Sequence, residues 1–494
     1  MKPNQFLITF FIIATVAAGC SKTFLEKAPP DSVNTANFYK TADDAIAAVN
    51  AAYQPLQRPK LYNLRMWTTD IIAGNSEVGA GGGTDGIETK DEANFVTTTD
   101  NAGVLDLYRG PAPGILASNI VLDKVPSIQM DESLKKRILG EGHFLRGLYY
   151  FILVRFFGDV PLITQQQNVG DDLKPARTPK EKVYQQIITD LTNAIDMLPA
   201  RSTYSGSDVG RASKGSAAGL LAKVYLTLGN YQKTVDLCKQ VTALGYQLNP
   251  DYADNFSSTK KNTVESLFEV QYSGATTYSF FGSDFNQASW VSTFTGPRNS
   301  DFVGGAYGWD QPTQEFVNAY EPGDLRKDVT VLYEGGPAFD GKEYKASYSG
   351  TGYNLRKFLV QKSVSPDYNT NPEDFPILRY ADVLLMEAEA LNESGKMDEA
   401  IVPLNEVRAR AGLPSVQANI SKEAMRNVIL HERRMELAFE GQRWFDLIRV
   451  QNGKYGLDFL HSIGKVNATS KFLLLPIPQV ERDANPNLTQ NPGY

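Results

Sequence analysis

The sequence predicts a mainly α protein: a tetratricopeptide-like helical-repeat scaffold carrying a loop-rich, aromatic-rich insertion subdomain with a few short strands. Three observations predict it. A two-helix pattern returns after 166 residues, from Ala222 to Ala388. Residues 272 to 353 hold 17 aromatic residues in 82 positions, about twice the chain-wide share of 11%. At the N-terminus, an apolar run stops at small residues followed by cysteine.

That N-terminal run comes first in the chain. Lys2 supplies a positive start, "FLITFFIIATV" an apolar stretch, and "AAG" the small residues a signal peptidase needs. The stretch falls short of the ~20 apolar residues of a membrane span and leads at once into the polar "SKTFLEK". An export signal over 1–19 fits better than a retained anchor helix. Small residues running into Cys20 are similar to a bacterial lipobox, although Ala17 stands where Leu is usual, so Cys20 is expected to be the acylated mature N-terminus. Acyl chains then give membrane attachment at ~0.8 kcal/mol per buried methylene. Loss of Lys2 takes the formal charge from −7 to −8, and no basic patch suggests nucleic acid.

The helical blocks follow. "SAAGLLAKVYLTLGNYQKTVDLCKQVTALG" reads as two amphipathic helices broken at Gly229-Asn230 and ended at Gly245. In the shifted frame Gly229 meets Gly395, Cys238 meets Leu404 and Val241 meets Val407. A Gly at the turn and small residues at the crossing let two helices pack closely, as in tetratricopeptide units. A third pair is expected in "EGHFLRGLYYFILVRFFGD" with "EKVYQQIITDLTNAIDMLP", and a last helix from near Ser421 to Gly441. Cys238, with no intrachain partner once Cys20 is acylated, shares a helical face with Val235 and Val241 and reads as a buried, inert thiol. The expected organisation is one unit over 20–494: scaffold at about 20–60, 105–245 and 375–494, and loop-rich portions at about 61–104 and 246–374.

Catalytic signatures are nearly absent. The three histidines have no metal-ligand spacing, and no HExxH, CxxC, Walker or GxSxG pattern occurs, so neither a metal nor a cofactor is expected. "GGGTDG" at 81–86 formally matches GxGxxG, but reads as following no strand and opening no helix. In "HERRMELAFEGQRWFDLIR", Glu432 and Glu436 lie one turn apart on a core-facing stripe. They read as a buried ion-pair network that pins the last helix, with Arg408, Arg410 or Arg443 as partners, rather than as catalytic acids.

At this point the residues carry a resemblance. "FLEKAPP", "EGHFLRGLYYFILVRFFGDVPLI", "ASKGSAAGLLAKVYLTLGNY", "PILRYADVLLMEAEAL", "LNEVRARAGL", "HERRMELAFEGQRWFDLIR" and "LLLPIPQVERDANPNLTQNPGY", in that order, resemble the SusD/RagB family of Bacteroidetes outer-membrane nutrient-binding lipoproteins. The resemblance implies four tetratricopeptide-like units docking on a SusC-type TonB-dependent transporter. It implies a lipid-anchored protein at the cell surface that captures an oligosaccharide without cleaving it and passes it on. It brings no catalytic residues.

Sugars present flat C–H faces and a rim of hydroxyls, so a glycan site calls for exposed rings beside amide, carboxylate or Arg groups. Trp67, Trp290 and Trp309 lie in the two loop-rich segments and are the candidate stacking platforms. Asp70, Asn75, Arg298 and Asp301 are the candidate hydroxyl partners, the last two in the turn "GPRNSD". Tyr278, Phe280 and Phe281 form a further aromatic cluster. The competing reading puts each tryptophan in a local core beneath the loops. Two other functions stay open: a glycoside hydrolase, which needs two carboxylates roughly 5 to 10 Å apart in a cleft, and a repeat scaffold for protein partners, which buried loop tryptophans would favour.

Overall fold

The computed structural model describes residues 39–79, 86–167, 170–274, 287–367, 370–417 and 419–494. Cys20, "FLEKAPP", most of "GGGTDG" and the Tyr278, Phe280, Phe281 cluster lie outside the described residues.

Four helix pairs make the frame. Helices α1 (Ala42–Tyr53) and α2 (Ala112–Lys124) form the first, and α3 (Glu132–Phe157) and α4 (Lys180–Met197) the second. The third is α5 (Lys214–Thr227) with α6 (Tyr231–Ala243), and the fourth α7 (Tyr380–Glu393) with α8 (Met397–Arg410). Successive pairs stack, α2 on α3, α4 on α5 and α6 on α7. The repeats scattered along the sequence are thus contiguous in space, and the segment between α6 and α7 is inserted into the stack. A further helix, α9 (Lys422–Glu436), packs on α7 and α8, and the expected last helix is followed by three shorter ones, Arg443–Arg449, Lys454–Ser462 and Gln479–Ala484.

Local chemistry explains these boundaries. Asn230 caps α6 through its side chain, Ser213 caps α5 in a capping box, and Ser421 caps α9, each satisfying backbone N–H groups that the first helical turn leaves free. The equivalent turns at Gly229 and Gly395 have φ of +70° and +78°, left-handed values that a glycine adopts without a Cβ penalty. Pairing of α3 with α4 survives a long connection because α3 is bare where α4 crosses. A Cβ on Gly147 would meet Leu191 at 3.1 Å, and one on Gly140 would meet Met197 and Leu198 at 2.9 Å.

The insertion, together with the 61–104 loop, carries short antiparallel ribbons. β1 (Ser76–Val78) pairs with β3 (Asp310–Pro312), β2 (Ser266–Val270) with β6 (Phe375–Arg379), and β4 (Val331–Tyr333) with β5 (Tyr353–Leu355). The β2–β6 ribbon joins the start and end of the insertion and rests on α5. A strand and a short helix, Ile87–Ala93, do flank "GGGTDG", contrary to the expectation from sequence. That strand pairs antiparallel with β3, which is not the parallel strand–helix–strand setting of a dinucleotide site. Among the described residues no helix is long and apolar enough to cross a membrane.

One large core runs through the helix pairs and beneath the insertion. A small cluster around Phe302, Phe339 and Tyr344 closes the outer part of the insertion. Cys238 is fully buried, and burial pushes its thiol pKa well up, which keeps it inert. The expected ion network is present and wider than expected. Arg408 meets Glu432 at 2.9 Å and Arg410 pairs with Glu436. Arg326 bonds Glu432 at 2.5 Å, and Arg379 bonds Glu265 at 2.5 Å and Glu436 at 2.9 Å. Arg443 is not a member: its guanidinium lies 4.8 Å from the Phe459 ring centre.

Candidate functional site

The structure brings the three loop tryptophans together, but in the interior. Trp67, Trp290 and Trp309 are 1%, 5% and 6% exposed. Phe294 stands at their centre, with ring centroids 6.2 Å from Trp67, 6.0 Å from Trp290 and 5.2 Å from Trp309. Asn63 stitches the two segments: its Oδ1 accepts from Trp290 N at 2.6 Å, and its Nδ2 donates to Ala288 O at 3.1 Å. The expectation of stacking platforms is corrected here. Burying an indole against rings stabilises more than leaving it in water, and Phe294 supplies the surface on which all three are buried. A local core beneath the loops is what the structure shows.

Asp70 and Asn75 are also fully buried. Asp70 Oδ1 accepts from Asn75 Nδ2 at 2.8 Å and Phe439 N at 3.1 Å, and its Oδ2 accepts from Gly441 N at 3.0 Å. Burial pushes its pKa up to about 6, and these three hydrogen bonds work against that rise. Asn75 Oδ1 accepts from Arg434 Nε at 2.8 Å. In place of sugar-hydroxyl partners, the pair is a latch between the first loop and the segment after α9. Arg298 is partly exposed. Asp301 is exposed, but its carboxylate is taken by Lys342 and Lys362, which hold its pKa below the usual carboxylate range. The seven expected residues therefore do not form one surface.

A hollow that sequence reasoning missed has the chemistry the tryptophans lack. It lies where the end of α1, the 207–211 loop, the end of β2 and Gln287 meet, with a volume of about 330 Å³. Among the described residues, five side-chain amides line it, from Asn50, Gln54, Gln57, Gln271 and Gln287, beside the Tyr53 ring, the Arg211 guanidinium and one carboxylate, Glu269. Each amide both donates and accepts, as a vicinal diol requires. The floor is preorganised. Gln57 Nε2 donates to Gln271 O at 2.6 Å, and the Gln271 and Asn262 side chains exchange hydrogen bonds of 2.8 and 3.1 Å. Burial, then the neighbouring Asp374 carboxylate, pushes the Glu269 pKa up to about 7. No local signal marked the site, because its residues come from four segments and those of α1 sit on a helix read as scaffold. Ser273 N donates to Gln287 O at 3.0 Å beside it. Among the described residues no cluster of His, Cys, Asp and Glu is arranged to hold a metal ion.

Comparison with known proteins places this architecture. A family model described as "SusD family" matches residues 238–494, and one described as "Starch-binding associating with outer membrane" matches residues 23–226. The chain is 29% identical to SusD-like protein P2 of Formosa agariphila over 99% of its own length and 100% of that protein. It superposes on a laminarin-binding SusD-like protein with a TM-score of 0.79 at 30% identity, covering 92% of this chain and 100% of the other. Surface glycan-binding protein A from Bacteroides uniformis gives a TM-score of 0.77 at 26% identity, with coverage of 91% and 99%. The description matched over residues 23–226 carries outer-membrane association, and by fold, by four stacked helix pairs and by a family model over more than half its length, the chain belongs to the SusD family.

Proposed function

We propose that this protein binds an oligosaccharide of the laminarin type outside the cell and holds it without cleaving it. The amide-lined hollow carries the reading. Five amides beside a ring, four of them held by hydrogen bonds within the protein, suit a neutral polyol. The likeness to a laminarin-binding relative supports the choice of glucan. Among the described residues Glu269 is the only carboxylate on the lining, and hydrolysis calls for two across the scissile bond. Burial of the tryptophans, taken alone, favours a scaffold for protein partners; the hollow and the glycan-binding relatives favour the glycan.

The anchor and the partner complete the proposal. Cys20 carries the acyl chains that tether the mature chain to the outer membrane facing outward, and the stacked helix pairs dock on a SusC-type TonB-dependent transporter that receives the cargo. Calorimetric titration of the acyl-free protein with laminarihexaose, followed by chromatography of the recovered sugar, tests the binding claim. Saturable heat with intact hexaose is expected. Shortened products, or no heat, would reject it.

A further inference from the structure

Across the 206–211 loop from the amide hollow lies a second hollow of about 220 Å³, lined by Arg201, Ser202, Tyr204 and Asn262 among others. The two share Val209, Gly210 and Arg211, so a ridge three residues wide separates them. The ridge is fixed from below. Arg211 donates to Asp208 Oδ1 at 3.0 Å, Glu141 Oε2 at 2.9 Å and Asn50 Oδ1 at 2.7 Å, which ties it to α1 and α3 and occupies the guanidinium. Ala212 N donates to the Tyr53 hydroxyl at 3.0 Å. Gly210, at φ +92°, lies so close to the Asn262–Gln271 amide pair that a Cβ would fall 2.7 Å from Gln271 Cδ. The crest is apolar, because Val209 is 47% exposed.

We infer that the two hollows are subsites of one groove, and that the ligand is a chain segment long enough to cross the ridge. One end lies among the amides beside Tyr53, a sugar face rests on Val209, and the chain continues to Tyr204, Ser202 and Asn262. The Asn262–Gln271 pair serves both sides, since Gln271 lines the first hollow and Asn262 the second. Arg211, saturated by two acids and an amide, adds no free positive charge between them, which suits an uncharged backbone. A mono- or disaccharide occupies one subsite only. This inference rests on the glycan reading above.

Titration with laminaribiose and laminarihexaose tests it on the wild type, on Ser202→Trp, which plugs the second hollow from an exposed position, and on Val209→Asp, which puts a charge on the crest. The wild type is expected to bind hexaose about tenfold or more tighter than biose, the gain of one or two extra hydrogen bonds and a face contact. In both variants that ratio falls toward one. Equal affinity for both sugars in the wild type, or a ratio unmoved by either substitution, overturns the two-subsite groove and leaves the first hollow standing. No binding of either sugar by the wild type removes the glycan reading and the groove together.

Discussion

Asp70 Oδ2 accepts a hydrogen bond from the Gly441 amide at 3.0 Å, across 371 residues of chain. With the Phe439 amide on its other oxygen, this carboxylate holds a turn in which Phe439 and Gly441 both have positive φ, of 63° and 69°. Asp70→Ala leaves three buried donors, the Phe439 and Gly441 amides and Asn75 Nδ2, without this acceptor and is expected to cost about 2–4 kcal/mol. Denaturant unfolding checks this; a loss under ~0.5 kcal/mol would show that the turn holds itself.

The network under α9 gives the second prediction. Glu436 is fully buried, and although burial alone would raise its pKa, Arg410, Arg379 and Arg326 hold it far below the usual carboxylate range. Its folded pKa is depressed, so its contribution to stability is present above the unfolded value near 4.5 and is lost as pH falls below that. Glu436→Gln, which leaves guanidiniums uncompensated, is expected to destabilise by about 3–5 kcal/mol at neutral pH. The deficit should shrink in acid, as a stability profile from pH 7 down to pH 3 would reveal.

Glu92 behaves in the opposite sense. Burial pushes its pKa up to about 8, and Arg65 only partly offsets this. Here the folded pKa exceeds the unfolded one, so stability is lost as pH rises from about 4.5 toward 8. Between pH 5 and pH 8, Glu92→Gln is expected to remove on the order of 2 kcal/mol of that decline. Identical slopes in the two proteins would contradict the assignment.

The tryptophan core makes a fourth. Phe294→Ala removes the ring on which three indoles pack and is expected to cost about 3–5 kcal/mol, with a shift of the intrinsic fluorescence toward the exposed range. Trp290→Phe keeps an aromatic in the same core and should leave glycan affinity within about twofold. A loss of binding in a folded Trp290→Phe protein would return this residue to the ligand.

Much of the frame was legible because its signals are local. The Gly229 and Gly395 turns, the caps at Asn230 and Ser421 and the 3.6-residue periodicity lie within a few positions of the helices they define. The charge network was half legible because Arg408 and Arg410 sit at the end of the helix just before α9, 24 and 26 residues from Glu432 and Glu436. Arg326 and Arg379 reach Glu432 and Glu436 from 106 and 57 residues away, and spacing carries no such information. The tryptophans misled because a ring on top of a loop and a ring beneath it occur in the same Gly, Ser and Asn surroundings. What decides between them is Phe294 and the Asn63–Trp290 bond, 227 residues apart. The amide hollow left no trace in any one segment.

The most direct measurement is the laminarihexaose affinity of a Gln57→Ala/Gln287→Ala double variant beside the wild type. If the hollow is the glycan site, losing two lining amides weakens binding by about 1–3 kcal/mol, roughly 5- to 150-fold, while the thermal midpoint moves little. Wild-type affinity in a folded double variant would contradict the account.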